Sequence, residues 1–323
     1  MRRASLTHKL RTLLPAAALL LCAGCSEDSQ PEEPAVPTPG MEFAVTADDS
    51  WLNGQGTSSR ASLQLTMYGD FAIFAGKFTD AWDEDENRAD LIFNEQCKLT
   101  KRGYYTTDKA HYWYWPDRKK YRFFAYAPYN LMYAAVSDAD APGTPQLTYQ
   151  VPTSNKFQQD LLMATCYSDP DIDGKQSLEF DHVLTAVRFV ASDEVKRGSV
   201  KSISINGIYS MATTPIGSAN WTGHSHPMNF AIDFSDPINV GTPETLGAPL
   251  VDGSSTFILM PQTLPDEAYI EVIFIDLIGK ERTFTKNIGG SKWLPGTIVT
   301  YVITPNMIYL LDNNDGYIYK PMF

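Results

Sequence analysis

Asp181 and His182 form the adjacent pair in this sequence that most resembles an acid–base dyad, in which a carboxylate orients an imidazole for proton transfer. Alternating apolar residues around them predict a β-strand, and neighbouring residues of a strand point to opposite faces. His182 shares its face with Phe180 and Leu184, so we expect a hydrogen-bonded histidine in the core. No Ser-His-Asp order and no pair of carboxylates stands out elsewhere. We therefore predict that the chain is not an enzyme and uses no cofactor.

Two stretches contain residue types that bind metals. His224 and His226 would face the same side of a strand and supply half of a zinc site. No Cys, Asp or Glu at a convincing spacing completes the site, so we expect an exposed loop here. The acidic stretch 80–86, DAWDEDE, lacks the glycine and the terminal glutamate of a calcium loop. A solvated acidic loop is the favoured interpretation, and we predict no metal site.

Trp113 and Trp115 belong to an aromatic row, HYWYW, and would lie on one face of a strand. Exposed aromatic rings can stack on sugars, which makes this row a candidate glycan platform. Aromatic rows in β-sandwiches more often belong to the hydrophobic core, and this interpretation is favoured here.

Cys97 and Cys166 are the two cysteines that lie beyond the first 25 residues. In an oxidising compartment they could form a disulfide. Two isolated cysteines in different segments could equally be small, buried, unpaired side chains. The sequence leaves both alternatives open.

Residues 1–24 have the composition of a signal peptide. Four basic residues precede an apolar run at 13–21, which is too short to cross a bilayer core of ~30 Å as a helix. The following Cys22-Ala23-Gly24-Cys25 resembles the lipobox of bacterial lipoproteins, although Cys22 stands where leucine is usual. This resemblance implies lipidation of Cys25 and anchoring in a membrane. The alternative is an ordinary secretory signal that is cut near Gly24.

Residues 25–40 predict an extended tether. The acidic SEDSQ resembles the signal that exports lipoproteins of Bacteroidota to the outer cell surface, and four prolines follow it. Removing the four basic residues of 1–24 from 26 leaves 22 against 38 acidic residues, a net charge of −16. Such an acidic chain argues against binding to nucleic acid, which requires basic patches.

The rest of the chain predicts an all-β protein in two domains. Hydrophobic residues make up 43%, the chain has 21 Gly and 21 Pro, and no long helical pattern follows residue 25. Residues 178–190, LEFDHVLTAVRFV, predict one strand that enters the middle of a sheet. We place one β unit at 41–173 and a second at 174–323.

Two segments bear on assembly. Arg60 closes a Gly/Ser loop at 53–59, where a trypsin-like protease would cut before Ala61, although Arg60 could equally be a plain loop residue. The tail at 306–323 is apolar and strand-like. It predicts either an edge strand of its own sheet or a donor strand for a neighbouring molecule.

Several segments together resemble the fimbrillin family, the subunits of type V pili of Bacteroidota, especially its fimbrillin-like lipoprotein branch. The segments that carry the resemblance are YYTTDKAHYWYWPDRKKYRFFAYAP (104–128), LEFDHVLTAVRFV (178–190), VKSISINGIYSMATTP (200–215), FILMPQTL (257–264) and KWLPGTIVTYVITP (292–305). The resemblance implies two tandem β-sandwich domains of transthyretin-like topology and export as a surface lipoprotein of the outer membrane. In polymerising members, a protease cuts after an arginine and removes the first strand, and Arg60 is the matching candidate. The open groove then accepts a strand from the next subunit.

These features predict a structural subunit or a tip or accessory adhesin of a cell-surface pilus. Its partners would be other pilus subunits, the outer membrane through the lipid anchor, and glycans or proteins on host or bacterial surfaces. The alternative is a surface glycan-binding lipoprotein of a nutrient-uptake system, which depends on Trp113 and Trp115.

Overall fold

The structure is a computed structural model that describes residues 40–47, 69–109, 119–168, 175–191, 197–241, 250, 256–303 and 308–311. The strands of the first half are β1 (Glu42–Ala47), β2 (Phe71–Phe78), β3 (Ile92–Leu99), β4 (Tyr105–Thr107), β5 (Lys120–Ala127), β6 (Ala134–Val136), β7 (Gln146–Gln150), β8 (Leu162–Ser168) and β9 (Lys175–His182). Those of the second half are β10 (Thr185–Ala191), β11 (Gly198–Pro215), β12 (Thr222–Val240), β13 (Phe257–Leu259), β14 (Gln262–Thr263), β15 (Tyr269–Asp276), β16 (Glu281–Asn287), β17 (Lys292–Trp293), β18 (Thr297–Ile303) and β19 (Ile308–Leu311). A 3-10 helix spans Asn155–Phe157. No helix in the described part of the chain is long and apolar enough to cross a membrane.

Seven strands form a closed barrel in the order β1-β4-β3-β2-β5-β8-β9. Its strands alternate between buried and exposed residues, as β9 shows with the pattern exposed-buried repeated four times. The inward side chains form one apolar core that includes Phe43, Phe71, Phe123 and Phe180. The barrel closes because β1 pairs with β4 on one side and with β9 on the other.

Most of the remaining strands form a sandwich, and β14 pairs with β17 in a separate two-stranded sheet. A sheet in the order β13-β10-β18-β19 shares its core with a second sheet in the order β16-β15-β11-β7-β6, and β12 also pairs with β11. Along β11, Ile203 and Ile205 are buried while Ser202 and Ser204 are partly exposed, as the alternation predicts. Asn206 and Gly207 form a β-bulge, because the β11–β12 register shifts between Ile205 and Ile208. The predicted all-β fold is confirmed.

The predicted single strand at 178–190 is wrong, because the structure divides it into β9 and β10. At the break, the carbonyl of Val183 accepts a hydrogen bond from the indole N–H of Trp221 at 2.7 Å. The carbonyl of Leu184 accepts one from the backbone N–H of Gly296 at 2.8 Å. These bonds replace the ladder that would continue one strand. The two-sided apolar pattern arises because the chain passes from the barrel core into the sandwich core.

Sheet membership does not follow the predicted division at 173/174. Strand β9 closes the barrel, whereas β6 and β7, which precede it in the chain, belong to the sheet of β11. The outward side chains of Phe74, Phe124 and Tyr126 on barrel strands join the same hydrophobic core as Phe189 and Ile205 of the sandwich. The two units therefore share buried apolar surface.

Buried tyrosines should make the protein sensitive to alkaline pH. Burial raises the pKa of Tyr126 and of Tyr301 to about 12 from an ordinary value of 10.0. The unfolded chain releases these protons from pH 10.0 upward while the folded chain keeps them, so stability present below pH 10.0 is lost as pH rises toward 12. We expect cooperative loss of β-sheet circular dichroism in that window, with tyrosinate absorbance rising in the same transition. Full ionisation of the tyrosines at pH 10.5 with an unchanged spectrum would contradict this expectation.

Candidate functional site

The first strand occupies a cleft between two strands of the barrel. On one side, β1 runs parallel to β9 over six registered pairs, from Glu42↔Lys175 to Ala47↔Phe180. On the other side, β4 contributes one registered pair, Phe43↔Tyr105, because β4 is only three residues long. Strand β1 is therefore paired extensively with β9 and only briefly with β4.

The inward side chains of β1 complete the barrel core. Phe43 is fully buried, and its ring packs edge-on against Phe123 at 5.2 Å and Phe71 at 6.4 Å between centroids. Met41 and Ala47 are also buried on this face. Withdrawal of β1 would leave an apolar groove lined by phenylalanine rings. The backbone groups of β4 and β9 that face β1 would then be unpaired.

Polar contacts around β1 are peripheral. The guanidinium of Arg102 donates to the carboxylate of Glu42, and the hydroxyl of Thr106 donates to the carbonyl of Met41 at 3.1 Å. The Arg102 side chain is 73% exposed. Solvent screens an ion pair of this kind, so its contribution to stability is small. The buried side chain of Phe43 therefore contributes more to the retention of β1 than this ion pair does.

The connection of β1 to the rest of the chain is the feature that bears on function. The described chain breaks after Ala47 and resumes at Gly69, so residues 48–68 are the covalent link between β1 and the later strands. Arg60 and Ala61 lie within that link. A cut between them would leave β1 held only by non-covalent contacts.

Several sites predicted from the sequence lie outside the described residues. These sites are the lipidation site Cys25, the cleavage site Arg60 and Ala61, and the glycan-stacking candidates Trp113 and Trp115. They remain predictions.

Cys97 and Cys166 are both free thiols. Cys97 pairs with Phe71 of β2, whereas Cys166 pairs with Phe123 of β5, which is in register with Ala75 of β2. The two positions thus differ by four residues along β2, or ~13 Å, whereas a disulfide needs Cα atoms within ~7 Å. Burial raises the pKa of Cys166 to about 12 and also raises the pKa of Cys97. Neither thiol is activated as a nucleophile.

His224 and His226 lie within strand β12, so the predicted exposed loop is wrong. His226 has a φ of 57°, which marks a local irregularity of the strand. An imidazole nitrogen of His224 is 2.7 Å from the carbonyl oxygen of Pro261, a hydrogen bond that holds the ring. No group of three or more His, Cys, Asp or Glu residues that could hold a metal occurs within the described ranges.

Carboxylates of the acidic loop at 80–86 accept hydrogen bonds from backbone N–H groups. The Asp83 carboxylate accepts hydrogen bonds from the backbone N–H groups of Asp85 at 2.8 Å and Glu86 at 3.3 Å. The Glu84 carboxylate accepts two bonds from Thr144, one from its backbone N–H at 2.6 Å and one from its hydroxyl at 2.9 Å. The loop is therefore hydrogen-bonded to the β6–β7 connection and links it to the barrel.

His182 is a core histidine, as the strand alternation predicts. Its side chain is 5% exposed, and Nδ1 lies 2.6 Å from the Asp160 carboxylate, which is 7% exposed. Asp181 is exposed on the opposite face. Asp160 comes from the segment before β8, whose Leu162 pairs with His182, and only this pairing brings the two side chains together.

Gln262 has a structural role that the sequence did not reveal. On one side of β11, the pairing with β15 ends at Asn206 and the pairing with β7 begins at Met211. In this gap, the Gln262 side-chain oxygen accepts from the Tyr209 N–H at 2.9 Å, and its amide donates to the Tyr209 carbonyl at 2.8 Å. The same amide donates to the carbonyl of Met260 at 3.0 Å. The glutamine thus makes the hydrogen bonds that a residue of a neighbouring strand would make. In the sequence, the only indication of this role is a polar residue shortly after the apolar run FILM (257–260).

Comparison with known proteins identifies the family. The model of the fimbrillin-like family matches residues 63–315, which is most of the chain. The chain belongs to the fimbrillin-like family. The match begins after Arg60, so β1 lies outside the matched residues.

Individual proteins of the same kind resemble this fimbrillin-like chain. The fimbrium subunit Fim1C of Phocaeicola vulgatus is 25% identical over 271 residues, covering 74% of this chain and 69% of that protein. A fimbrial protein from Bacteroides vulgatus superposes with a TM-score of 0.60 at 19% identity, covering 85% of this chain and 98% of the other. A candidate cell adhesion protein from Bacteroides ovatus gives a TM-score of 0.54 at 14% identity, covering 88% and 99%. At these identities, the two structures show a shared fold.

Proposed function

We propose that this chain is a structural subunit, or a tip or accessory adhesin, of a cell-surface pilus and that it joins the pilus by strand exchange. The observation that carries the proposal is β1, a strand that places Phe43 in the barrel core and whose covalent link to the later strands contains Arg60. Membership of the fimbrillin-like family and similarity to a fimbrium subunit support the pilus assignment.

The physical basis of strand exchange is the groove that β1 occupies. Removal of β1 uncovers the rings of Phe71 and Phe123 and the facing backbone edges of β4 and β9. Exposed apolar surface and unpaired strand edges are both unfavourable in water. A donor strand from another subunit repairs both at once and forms a stable junction without a covalent bond.

The N-terminal segment supplies the control in this proposal. Lipidation of Cys25 anchors the exported chain in the outer membrane, at the cell surface, through the tether at 25–40. Cleavage after Arg60 separates both the anchor and β1 from the later strands. A subunit that escapes cleavage keeps its lipid and its first strand and serves as an anchor of the pilus.

Mass spectrometry of the N-terminus tests this proposal on protein taken from the cell surface. We expect chains that begin at Ala61 in high-mass assemblies, and acylated Cys25 in a monomeric Arg60→Ala variant. Arg102→Ala, at an exposed arginine in a hairpin turn, is the matched control and should still assemble. Wild-type chains found only as acylated Cys25 would overturn activation by cleavage. An unacylated start near Cys25 would overturn the lipid anchor.

A further inference from the structure

We propose that a cavity between the 3-10 helix and strand β12 binds one neutral sugar unit of a glycan. This inference rests on the adhesin part of the proposed function, because it names the class of ligand that the adhesin would hold. It does not involve the groove of β1, since β1 belongs to the barrel whereas β12 pairs with β11.

An irregularity of β12 forms one wall of the cavity. Four residues of β12, at 234–237, stand opposite the single residue Lys201 of β11. Such a bulge interrupts the ladder and redirects side chains, whereas successive side chains of a regular strand point to opposite faces. Here four successive residues line the same cavity: Asp233, Phe234, Ser235 and Asp236.

The 3-10 helix supplies the opposite wall. Ser154, directly before the helix, forms an isolated parallel bridge with Ala231 of β12, which fixes the helix beside the strand. Asn155 and Lys156 then line the cavity from the side of the helix. The cavity has a volume of about 400 Å³, which lies in the range of small-molecule sites and is large enough for one sugar ring.

The polar groups that line the cavity match a ligand rich in hydroxyl groups. The carboxylates of Asp233 and Asp236 only accept hydrogen bonds, whereas the ammonium of Lys156 only donates them. The amide of Asn155 and the hydroxyl of Ser235 do both. Each hydroxyl of a sugar donates and accepts at once, so neighbouring sugar hydroxyls can use both kinds of group.

The charged side chains of the cavity are accessible to a ligand. Asp233, Asp236 and Lys156 are exposed, and within the described ranges they form no hydrogen bond or ion pair. Other acidic side chains of the chain hold turns in place, as the Asp276 carboxylate does by accepting from the backbone N–H groups of Ile278 and Lys280. The carboxylates of the cavity are instead available for hydrogen bonds to a bound molecule.

The charges and the apolar surface of the cavity favour a neutral ligand. Two carboxylates repel an anion, and the ammonium of Lys156 places a positive charge where a metal ion would sit. A neutral sugar meets neither repulsion. Ile232 is buried and Phe234 is half-buried, and both line the cavity with apolar surface for the C–H groups of a sugar ring.

Saturation-transfer difference NMR on the full chain, left uncut at Arg60, tests this inference. The probes are the methyl glycosides of glucose, galactose, mannose, fucose and N-acetylglucosamine, each titrated separately. N-acetylneuraminic acid is the anionic probe, and calcium chloride is added as a competing cation. The variants Asp233→Asn and Asp236→Asn each remove one charge but keep the size of the side chain. Asp181→Asn makes the same change at an exposed aspartate of β9 that does not line the cavity, and it is the matched control.

We expect at least one neutral glycoside to bind, and N-acetylneuraminic acid to bind more weakly or not at all. Asp233→Asn and Asp236→Asn should each weaken binding by on the order of 10-fold, because a charge-assisted hydrogen bond becomes a neutral one. Asp181→Asn should bind as the wild type does. Both cavity variants should keep the wild-type circular dichroism, since the substituted side chains are exposed.

Several outcomes would overturn the inference. One is the absence of binding by all five neutral glycosides. Another is binding that both cavity variants leave unchanged, because the sugar would then bind elsewhere. Equal weakening by Asp181→Asn would show a general effect of charge. Displacement of the glycoside by calcium that both cavity variants abolish would identify a cation site instead.

Assembly has a separate readout, the N-terminus at Ala61 in high-mass assemblies. Chains that assemble but bind none of the sugars would overturn this inference and leave strand exchange intact. Chains that bind a sugar in this cavity but never assemble would support this inference and overturn strand exchange.

Discussion

Replacing Phe43 with alanine should lower the free energy of unfolding by about 3–5 kcal/mol. The side chain is fully buried and packs against Phe71 and Phe123, so its removal leaves a cavity in the centre of the barrel core. The aromatic contacts are lost together with the buried area. Urea denaturation of the chain 26–323, which lacks Cys25, followed by tryptophan fluorescence and circular dichroism, measures the change.

Two further variants separate packing at Phe43 from a general effect on β1. Phe43→Leu keeps most of the apolar volume and should cost much less than the alanine variant. Thr46→Ala changes the outward face of the same strand and should shift stability by less than about 0.5 kcal/mol. A loss below about 1 kcal/mol for Phe43→Ala would show that β1 does not complete the barrel core in solution.

The same substitution has a consequence for assembly. Since Phe43 is the largest buried side chain of β1, its truncation should speed the release of β1 once the chain has been cut after Arg60. Loss of the peripheral contact of Glu42 with Arg102 should matter less, because the arginine side chain is largely exposed.

Replacing Gln262 with leucine should lower the free energy of unfolding by about 3 kcal/mol. Leucine preserves much of the volume but leaves the N–H and carbonyl groups of Tyr209 and the carbonyl of Met260 without this partner. Gln262 is itself only 5% exposed, so water cannot easily take its place. Thermal and urea unfolding of the chain 26–323 measure the loss.

The Gln262→Glu variant tests whether stability depends on the hydrogen bonds of Gln262 or only on the shape of its side chain. The two side chains have nearly the same form, but a carboxylate cannot donate to the carbonyl groups of Tyr209 and Met260. We expect this variant to be at least as destabilised as Gln262→Leu at neutral pH. Thr263→Ala, at the exposed neighbour in β14, should be close to wild type. A stable Gln262→Glu variant would mean that the side-chain bridge does not hold the gap in β11.

The local structure of many segments follows from the sequence because strand periodicity specifies which face of a sheet each residue occupies. The β15–β16 hairpin around Gly279 and the inward isoleucines of β11 are clear examples. The core position of His182 followed from the same alternation. The predictions failed where an apolar run passed between two cores, as at Val183 and Leu184. A single central strand that is buried on both faces has a continuous apolar run. Two successive strands that face different cores have the same run, so the sequence cannot distinguish them.

The candidate site was only partly accessible from the sequence. Arg60 and the alternation of β1 could be recognised locally, since a basic residue in a Gly/Ser loop and a two-residue period are local patterns. The partners of β1 could not, because Phe43 pairs with Gln176 more than a hundred residues away. Gln262 was missed for the same reason: its partner, Tyr209, lies on another strand.

The sequence by itself determined the all-β class, the resemblance to the fimbrillin family and, in the alternating strands, which residues face inward. The tertiary structure alone decided that β1 closes a barrel against β9, that β6 and β7 join the second unit, and that Cys97 and Cys166 are too far apart to pair. The physical reason is that side-chain periodicity encodes the orientation of a strand but not its neighbour. Neighbours are chosen by the packing of complete strands around a shared core, and that choice depends on the whole chain.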